Sequence, residues 1–391
     1  MADPGGDARL RRFLPVYALA WAGTAIAYMP FLILLLPMRV AQLAGAGPGI
    51  GWVAQLAFLG ALAASSGHIL FGWLSDISGR RRPWIAAGLL LSTGLLVAMD
   101  RPGDLPTLVA MVIAWQFALN MMMAPLAALA GDVVPDTHKG ILGGLMAFAP
   151  GCGALAGTIV TWPGLAGPEA RLALVAALVV LCLAPVLMRP LPAPVPAPPP
   201  ADVTSAGLSA DGVRRMWLAR LAVQIAEATL FAYLYFWFRS IDAGVSDNRI
   251  ANLFAVILLV SAPLSLWAGR WSDRSGRPFL PLRWAALGAA AGLLVMASAQ
   301  GLAVAMAGFS LFSLASAGFL ALHSAQTLRV LRRPDRRGRD LGLFNLTNTI
   351  PSLIMPWLTL GMMPGYGFSG VFVALALLSL LGAILLAPRR G

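Results

Sequence analysis

The chain has 391 residues, of which 59% are hydrophobic and 11% charged, with a mean hydropathy of +0.79; soluble domains carry roughly 25% charged residues. This composition excludes a soluble globular enzyme and points to an integral membrane protein. The net charge of +12 sits on arginines clustered beside apolar runs, with no basic stripe interleaved with aromatics, so no nucleic-acid partner is expected.

Apolar runs fall near 13–38, 50–74, 84–99, 107–131, 141–162, 171–188, 216–238, 250–271, 279–298, 301–328, 341–360 and 371–387. Most approach the ~20 residues that cross a bilayer's hydrocarbon. They predict an all-α integral membrane protein with twelve transmembrane helices. A closed barrel is excluded, because stretches such as Leu172 to Leu187 are apolar all round and do not alternate. The first run is too long for a signal-peptide core and is read as helix 1 of the mature chain.

Arg9, Arg11 and Arg12 precede helix 1, and Arg80 to Arg82 follow helix 2. By the positive-inside rule both termini are expected in the cytoplasm of a bacterial-type inner membrane. Tyr28 on helix 1, Gln55 and His68 on helix 2, and Gln116 and Asn120 on helix 4 are polar residues inside apolar runs. Each suits either a substrate path or a hydrogen bond between helices. Gln116 and Asn120, four apart, share a helix face. Cys152 and Cys182 lie in apolar helices and read as small buried side chains.

After helix 6 the chain runs Arg189-Pro-Leu-Pro-Ala-Pro-Val-Pro-Ala-Pro-Pro-Pro200. Alternating prolines favour extended polyproline II and forbid a spanning helix. The expected division is therefore an N-terminal six-helix bundle at 1–188, a cytoplasmic linker at 189–212 and a C-terminal six-helix bundle at 213–391.

Helix 7 carries Arg220, Gln224 and Glu227 at helical spacing on one face, with Tyr233 beyond. Glu227 stands deep in an apolar run, where a carboxylate is costly unless paired or protonated. It reads as a proton-coupling group whose charge depends on Arg220 or on substrate, or alternatively as one member of a permanent ion pair or a carboxyl hydrogen-bonded across helices. Asn252 on helix 8 and Asn345 and Asn348 on helix 11 extend the set of candidate substrate contacts. Amides and hydroxyls suit a neutral polyol, and Trp21, Phe231 and Trp237 offer faces for sugar stacking. His68 and His323 are candidates for a proton relay. No Cys/His cluster, phosphate loop or nucleophile and base pair appears, so neither metal nor cofactor nor enzymatic activity is expected.

One phrase occurs twice. Gly72-Trp-Leu-Ser-Asp-Ile-Ser-Gly-Arg80 and Gly269-Arg-Trp-Ser-Asp-Arg-Ser-Gly-Arg277 agree at six of nine places. A second pair, Val134-Pro-Asp-Thr-His-Lys-Gly140 and Leu331-Arg-Arg-Pro-Asp-Arg-Arg-Gly338, repeats at nearly the same offset. The two halves are read as parallel six-helix repeats. Gly72 is expected to permit a close helix approach, Gly79 a tight turn, and Asp76, Arg80 and Asp132 a charge cluster at the inner surface. Asp273 and Arg277 are its second-half counterparts. A solvated loop that only sets orientation is the other reading of these residues.

Gly72-x-Leu-x-Asp76-x-x-Gly79-Arg-Arg, in the loop after helix 2, resembles the signature loop of the major facilitator superfamily. The resemblance extends over the whole chain through helix count, linker position and repeat. It implies two six-helix bundles related by pseudo-two-fold symmetry and transport by alternating access. Ser75-Asp-Ile-Ser-Gly-Arg-Arg-Arg-Pro83 and Gly338-Arg-Asp-Leu-Gly-Leu-Phe-Asn-Leu-Thr-Asn-Thr-Ile-Pro351 further resemble bacterial relatives of the sucrose-type and glycoside-pentoside-hexuronide:cation symporters. The implied function is proton-coupled symport of a small polar organic solute, such as a sugar or glycoside, by a monomer in the lipid bilayer. A proton-coupled exporter of amphipathic compounds and a non-transporting membrane assembly or pigment-handling factor are the alternatives.

Overall fold

The computed structural model describes residues 4–45, 49–135, 138, 141–142, 145–146, 148–192, 210–275, 279–330 and 337–387. Most of the proline-rich linker and of the second loop pair lies outside them. Every described element is helical, and the described residues of each apolar run fall largely on helix. Eight helical stretches among the described residues are long and apolar enough to cross a membrane.

The first unit comprises Met1–Ala197 and Ser246–Ala255. It opens with α1 (Pro4–Pro30), a π-helical turn (Phe31–Leu35) and α2 (Leu36–Ala44) in one continuous rod. Proline has no N–H to give, so Pro37 leaves the carbonyl one turn before it without its usual donor. Here the backbone widens, and the Leu36 N–H donates to the Phe31 carbonyl five residues back. Then come α3 (Gly49–Ser78), α4 (Arg81–Ala98), α5 (Leu105–Val133), α6 (Ala149–Val160) and α7 (Pro168–Met188). Asp104 caps α5 by accepting from the Thr107 N–H at 2.8 Å.

Two packed groups make up this unit: α1 against α6 and α7, and α5 against α3 and α4. Small residues bring their backbones together. A Cβ on Gly88 of α4 would collide with the Met121 and Met122 backbone of α5, and one on Gly153 of α6 would lie 3.0 Å from the Ala25 carbonyl of α1. Gly23 of α1 is closed in by Cys182 and Leu183 of α7. Such contact is how apolar helices associate in lipid, where no hydrophobic force drives them together.

The second unit comprises Pro198–Val245 and Val256–Gly391. Its helices are α8 (Ala210–Ile241), α9 (Asp247–Ser275, whose first turns belong to the first unit), α10 (Phe279–Ala297), α11 (Leu302–Val330) and α12 (Arg337–Leu385). The last two apolar runs are one element, α12, bent at Gly367 where φ is 59° and ψ is −163°. Helix α12 packs on α8 and α10, and α10 packs on α11. A glycine seam recurs in the last pair: a Cβ on Gly292 would meet the Phe312 backbone, and one on Gly308 would lie 2.9 Å from the Met296 nitrogen.

Candidate functional site

In the second unit, the polar face of α8 meets α12. Arg220, Gln224 and Glu227 stand at one-turn steps, so their side chains emerge on one side of the helix. Arg220 Nε donates to Thr347 Oγ1 at 3.0 Å, and its Nη2 to Asn348 Oδ1 at 3.4 Å. Gln224 Nε2 donates to the same Asn348 oxygen at 2.6 Å. Glu227 is half-buried two turns beyond Arg220, and the two opposite charges act on each other through space. A guanidinium and two amides are thus joined between α8 and α12, with Asn348 exposed and a carboxyl on the same face of α8. Charge-assisted hydrogen bonds hold their geometry strongly.

Thr347 is a residue that sequence reasoning missed. It is fully buried, and its only signal was adjacency to Asn348. Further along the same interface the buried Tyr233 hydroxyl lies beside the Thr359 hydroxyl. Trp237, expected to offer a stacking face, is instead buried edge-on against Phe372 at 4.9 Å between ring centroids. Its ring is consumed by the α8–α12 core. His323 is fully buried as well, with Nε2 2.9 Å from the Met216 carbonyl and its ring against Phe319. A carbonyl only accepts, so Nε2 carries the proton in this contact. The side chains of Asn345 and Asp273, and Arg277 as a whole, lie outside the described residues.

In the first unit a second polar group bridges α3 and α5. His68 Nδ1 lies 3.1 Å from Asn120 Oδ1, and Asn120 Nδ2 donates to the Gln116 carbonyl at 2.9 Å. Gln55 is exposed three turns earlier on α3, and Tyr28 is half-buried on α1.

The C-terminal end of α3 carries the charge cluster in a register different from the expected one. Arg81, not Arg80, stands between the carboxylates: its Nε donates to Asp132 Oδ2 at 2.9 Å, and its Nη1 meets both Asp76 and the Ser75 hydroxyl. Arg80 is the extended residue before α4 and points to solvent. Gly79 has φ of 61° and donates its N–H to the Asp76 carbonyl. That left-handed turn reverses the chain so that the first residue inside α4 faces back onto α3 and α5. Arg82 goes elsewhere, donating to the Val186 and Arg189 carbonyls at the C-terminal end of α7. Gly72 does not mark the tight approach, since a Cβ there would find only Ala124 Cβ, at 3.9 Å. The close contact occurs at Gly67, over Phe117 and Asn120.

At the opposite end of this unit, Asn248 Nδ2 donates to the Thr158 carbonyl at 3.1 Å in the last turn of α6. Asn252, expected on the substrate path, donates to Asn248 Oδ1 at 2.9 Å and so orients that cap. Arg171 of α7 pairs with Asp247 at 3.5 Å.

The sequence model of the Major Facilitator Superfamily matches residues 216–391. No curated protein shows significant sequence similarity to the chain. Among solved structures, a bacterial homolog of the human lysosomal transporter Spinster, inward-facing and occupied, is 12% identical with a TM-score of 0.74, covering 99% of this chain and 97% of that one. A D-xylose-proton symporter is also 12% identical with a TM-score of 0.74, covering 96% and 97%. The peptide transporter POT is 16% identical with a TM-score of 0.73, covering 96% and 93%. Residues 216–391 thus carry the sequence pattern of the Major Facilitator Superfamily, and the chain from end to end has the fold of these solved transporters.

Proposed function

We propose that the protein is a secondary active transporter that works by alternating access and couples uptake of a small polar solute, such as a sugar or glycoside, to protons. The observation that carries this reading is the Arg220, Gln224 and Glu227 face of α8, joined to Thr347 and Asn348 of α12. A carboxyl placed among apolar helices is retained where its charge is used. Glu227 takes up a proton from one side of the membrane and gives it up on the other. Arg220, two turns away on the same face of α8, sets the condition for release. The amides of Gln224 and Asn348 make directional hydrogen bonds without demanding a counter-charge, which suits a hydroxylated solute. Likeness to a D-xylose-proton symporter supports the choice of solute and ion.

In this reading Arg81, Asp76 and Asp132 hold the inner ends of α3, α4 and α5 together, and the chain works as a monomer in a bacterial-type inner membrane. The test is uptake by proteoliposomes under an imposed pH gradient. Glu227→Gln abolishes accumulation against a gradient and keeps solute exchange, measured by counterflow. Full proton-driven accumulation by Glu227→Gln overturns the coupling role. An exporter of amphipathic compounds is the competing reading, and outward transport of such compounds without sugar uptake would establish it.

A further inference from the structure

Outside the α8–α12 site, the His68 group on α3 and α5 is built to present one lone pair. Asn120 donates its Nδ2 to the Gln116 carbonyl, which fixes the amide and turns Oδ1 toward His68. An amide oxygen only accepts, so the Nδ1 of His68 carries the proton and the Nε2 of the neutral ring is an acceptor. The support is stiff. Asn120 is 7% and Gln116 8% exposed, and Gly60 and Gly67 of α3 lie directly over these two residues. The imidazole itself is exposed.

By its angle around α3 it stands away from the apolar side that would meet lipid. On α3 the exposed bulky apolar residues Leu62, Ile69, Leu70, Trp73 and Ile77 recur at helical spacing and define one side. At ~100° per residue His68 lies well over a third of a turn from the middle of that stripe. Its neighbours one turn away on α3 are Ala64, Ser65, Phe71 and Gly72, and the Phe71 ring lies against Trp84. Charged groups on the elements packed around it are spoken for. Asp76 on α3 and Asp132 on α5 lie about two and three turns away and are engaged by Arg81, while Arg39 of α2 is bound to the Asp100 and Pro102 carbonyls.

We infer that His68 is a substrate contact in the first unit, its Nε2 accepting a hydrogen bond from a hydroxyl of the transported solute, with Asn120 as the positioning residue that sets the tautomer. The inference rests on the proposed transport function and names a solute class for it, one bearing hydroxyl donors. It predicts that a solute lacking the relevant hydroxyl loses affinity, because the Nε2 lone pair is then left without a partner.

The chain has three histidines, so chemical labelling resolves them. Diethyl pyrocarbonate acylates an accessible imidazole nitrogen, and mass spectrometry of the purified full-length protein reports each site. His68 is expected to label readily and buried His323 slowly. D-xylose, other neutral sugars and their deoxy forms are then added as protectants, an equilibrium measurement that needs no flux. Protection of His68 by a hydroxylated sugar, lost with one deoxy form, is the expected result. No protection by any of these solutes, or no labelling of His68, overturns the inference. In transport, His68→Phe is expected to raise KM about tenfold, the worth of one such hydrogen bond, with kcat within about twofold. Asn120→Ala is expected to raise KM by less while His68 still labels. Equal loss of kcat in both variants with KM unchanged would show a structural role only. Proton coupling is judged separately by Glu227→Gln, so either conclusion can fail alone.

Discussion

Arg81 meets two carboxylates and a hydroxyl at once while its neighbour Arg80 is turned to water. Only 17% of the Arg81 side chain is exposed, against 64% for Asp76 and 44% for Asp132. Half-exposed pairs are each worth roughly 1 kcal/mol or less, so the arrangement matters more for geometry than for stability. Arg81→Ala is expected to lower thermal stability by about 1 kcal/mol and to slow transport, whereas Arg80→Ala leaves both near wild type; a melting series and an uptake assay decide. Asp100, in the turn between α4 and α5, gives a prediction with a pH sign. Burial pushes its carboxyl above the ordinary value, Arg39 opposes this and Glu169 adds to it. Folding therefore favours the protonated form: ionised Asp100 costs stability at neutral pH, and the cost is relieved as pH falls through the raised value. Asp100→Asn is expected to raise the melting temperature at neutral pH, with the gain fading in acid. A gain independent of pH would reject the burial effect.

Helices were legible in the sequence because lipid demands long apolar runs, and Glu227 stood out for the same reason. What was not legible depended on fractions of a helical turn. Whether Arg80 or Arg81 faces the carboxylates is set by where α4 begins, one residue after the left-handed Gly79. Thr347 is a short hydroxyl that sequence alone does not distinguish from packing. The role of Asn252 as orienter of Asn248 rests on a contact across ninety positions to Thr158. Trp237 was misjudged because an aromatic at helical spacing looks alike whether it lines a path or fills a core. The glycines Gly153 and Gly292, by contrast, stand in four-residue spacings with Gly157 and Gly288 that favour close helix contact, and both abut a neighbouring backbone. Gly88→Leu and Gly292→Leu are each expected to cost about 1–3 kcal/mol or more through overpacking, read as a drop in melting temperature. Gly94→Leu, with open space at that Cβ, is the control expected to change little.

For the molecule as a whole, one crossing for each of the twelve apolar runs would put both termini on one side. Reporter fusions at each end, one active only inside and one only outside, are expected to show both ends inside, as the arginines at 9, 11, 12, 81 and 82 direct. Opposite signals from the two ends would break the twelve-span topology.

The glycine seams set where deformation is permitted. Where Gly88 touches the α5 backbone, and where Gly292 and Gly308 join α10 to α11, there is no layer of side chains to act as a bearing. Helices separated by side chains slide through small rotamer adjustments, whereas backbones in direct contact interlock like teeth. Each of these pairs is therefore stiff against shear and transmits force as one beam. Compliance is left to the joints that lack such contact, chiefly the widened turn at Phe31–Leu35 and the bend at Gly367.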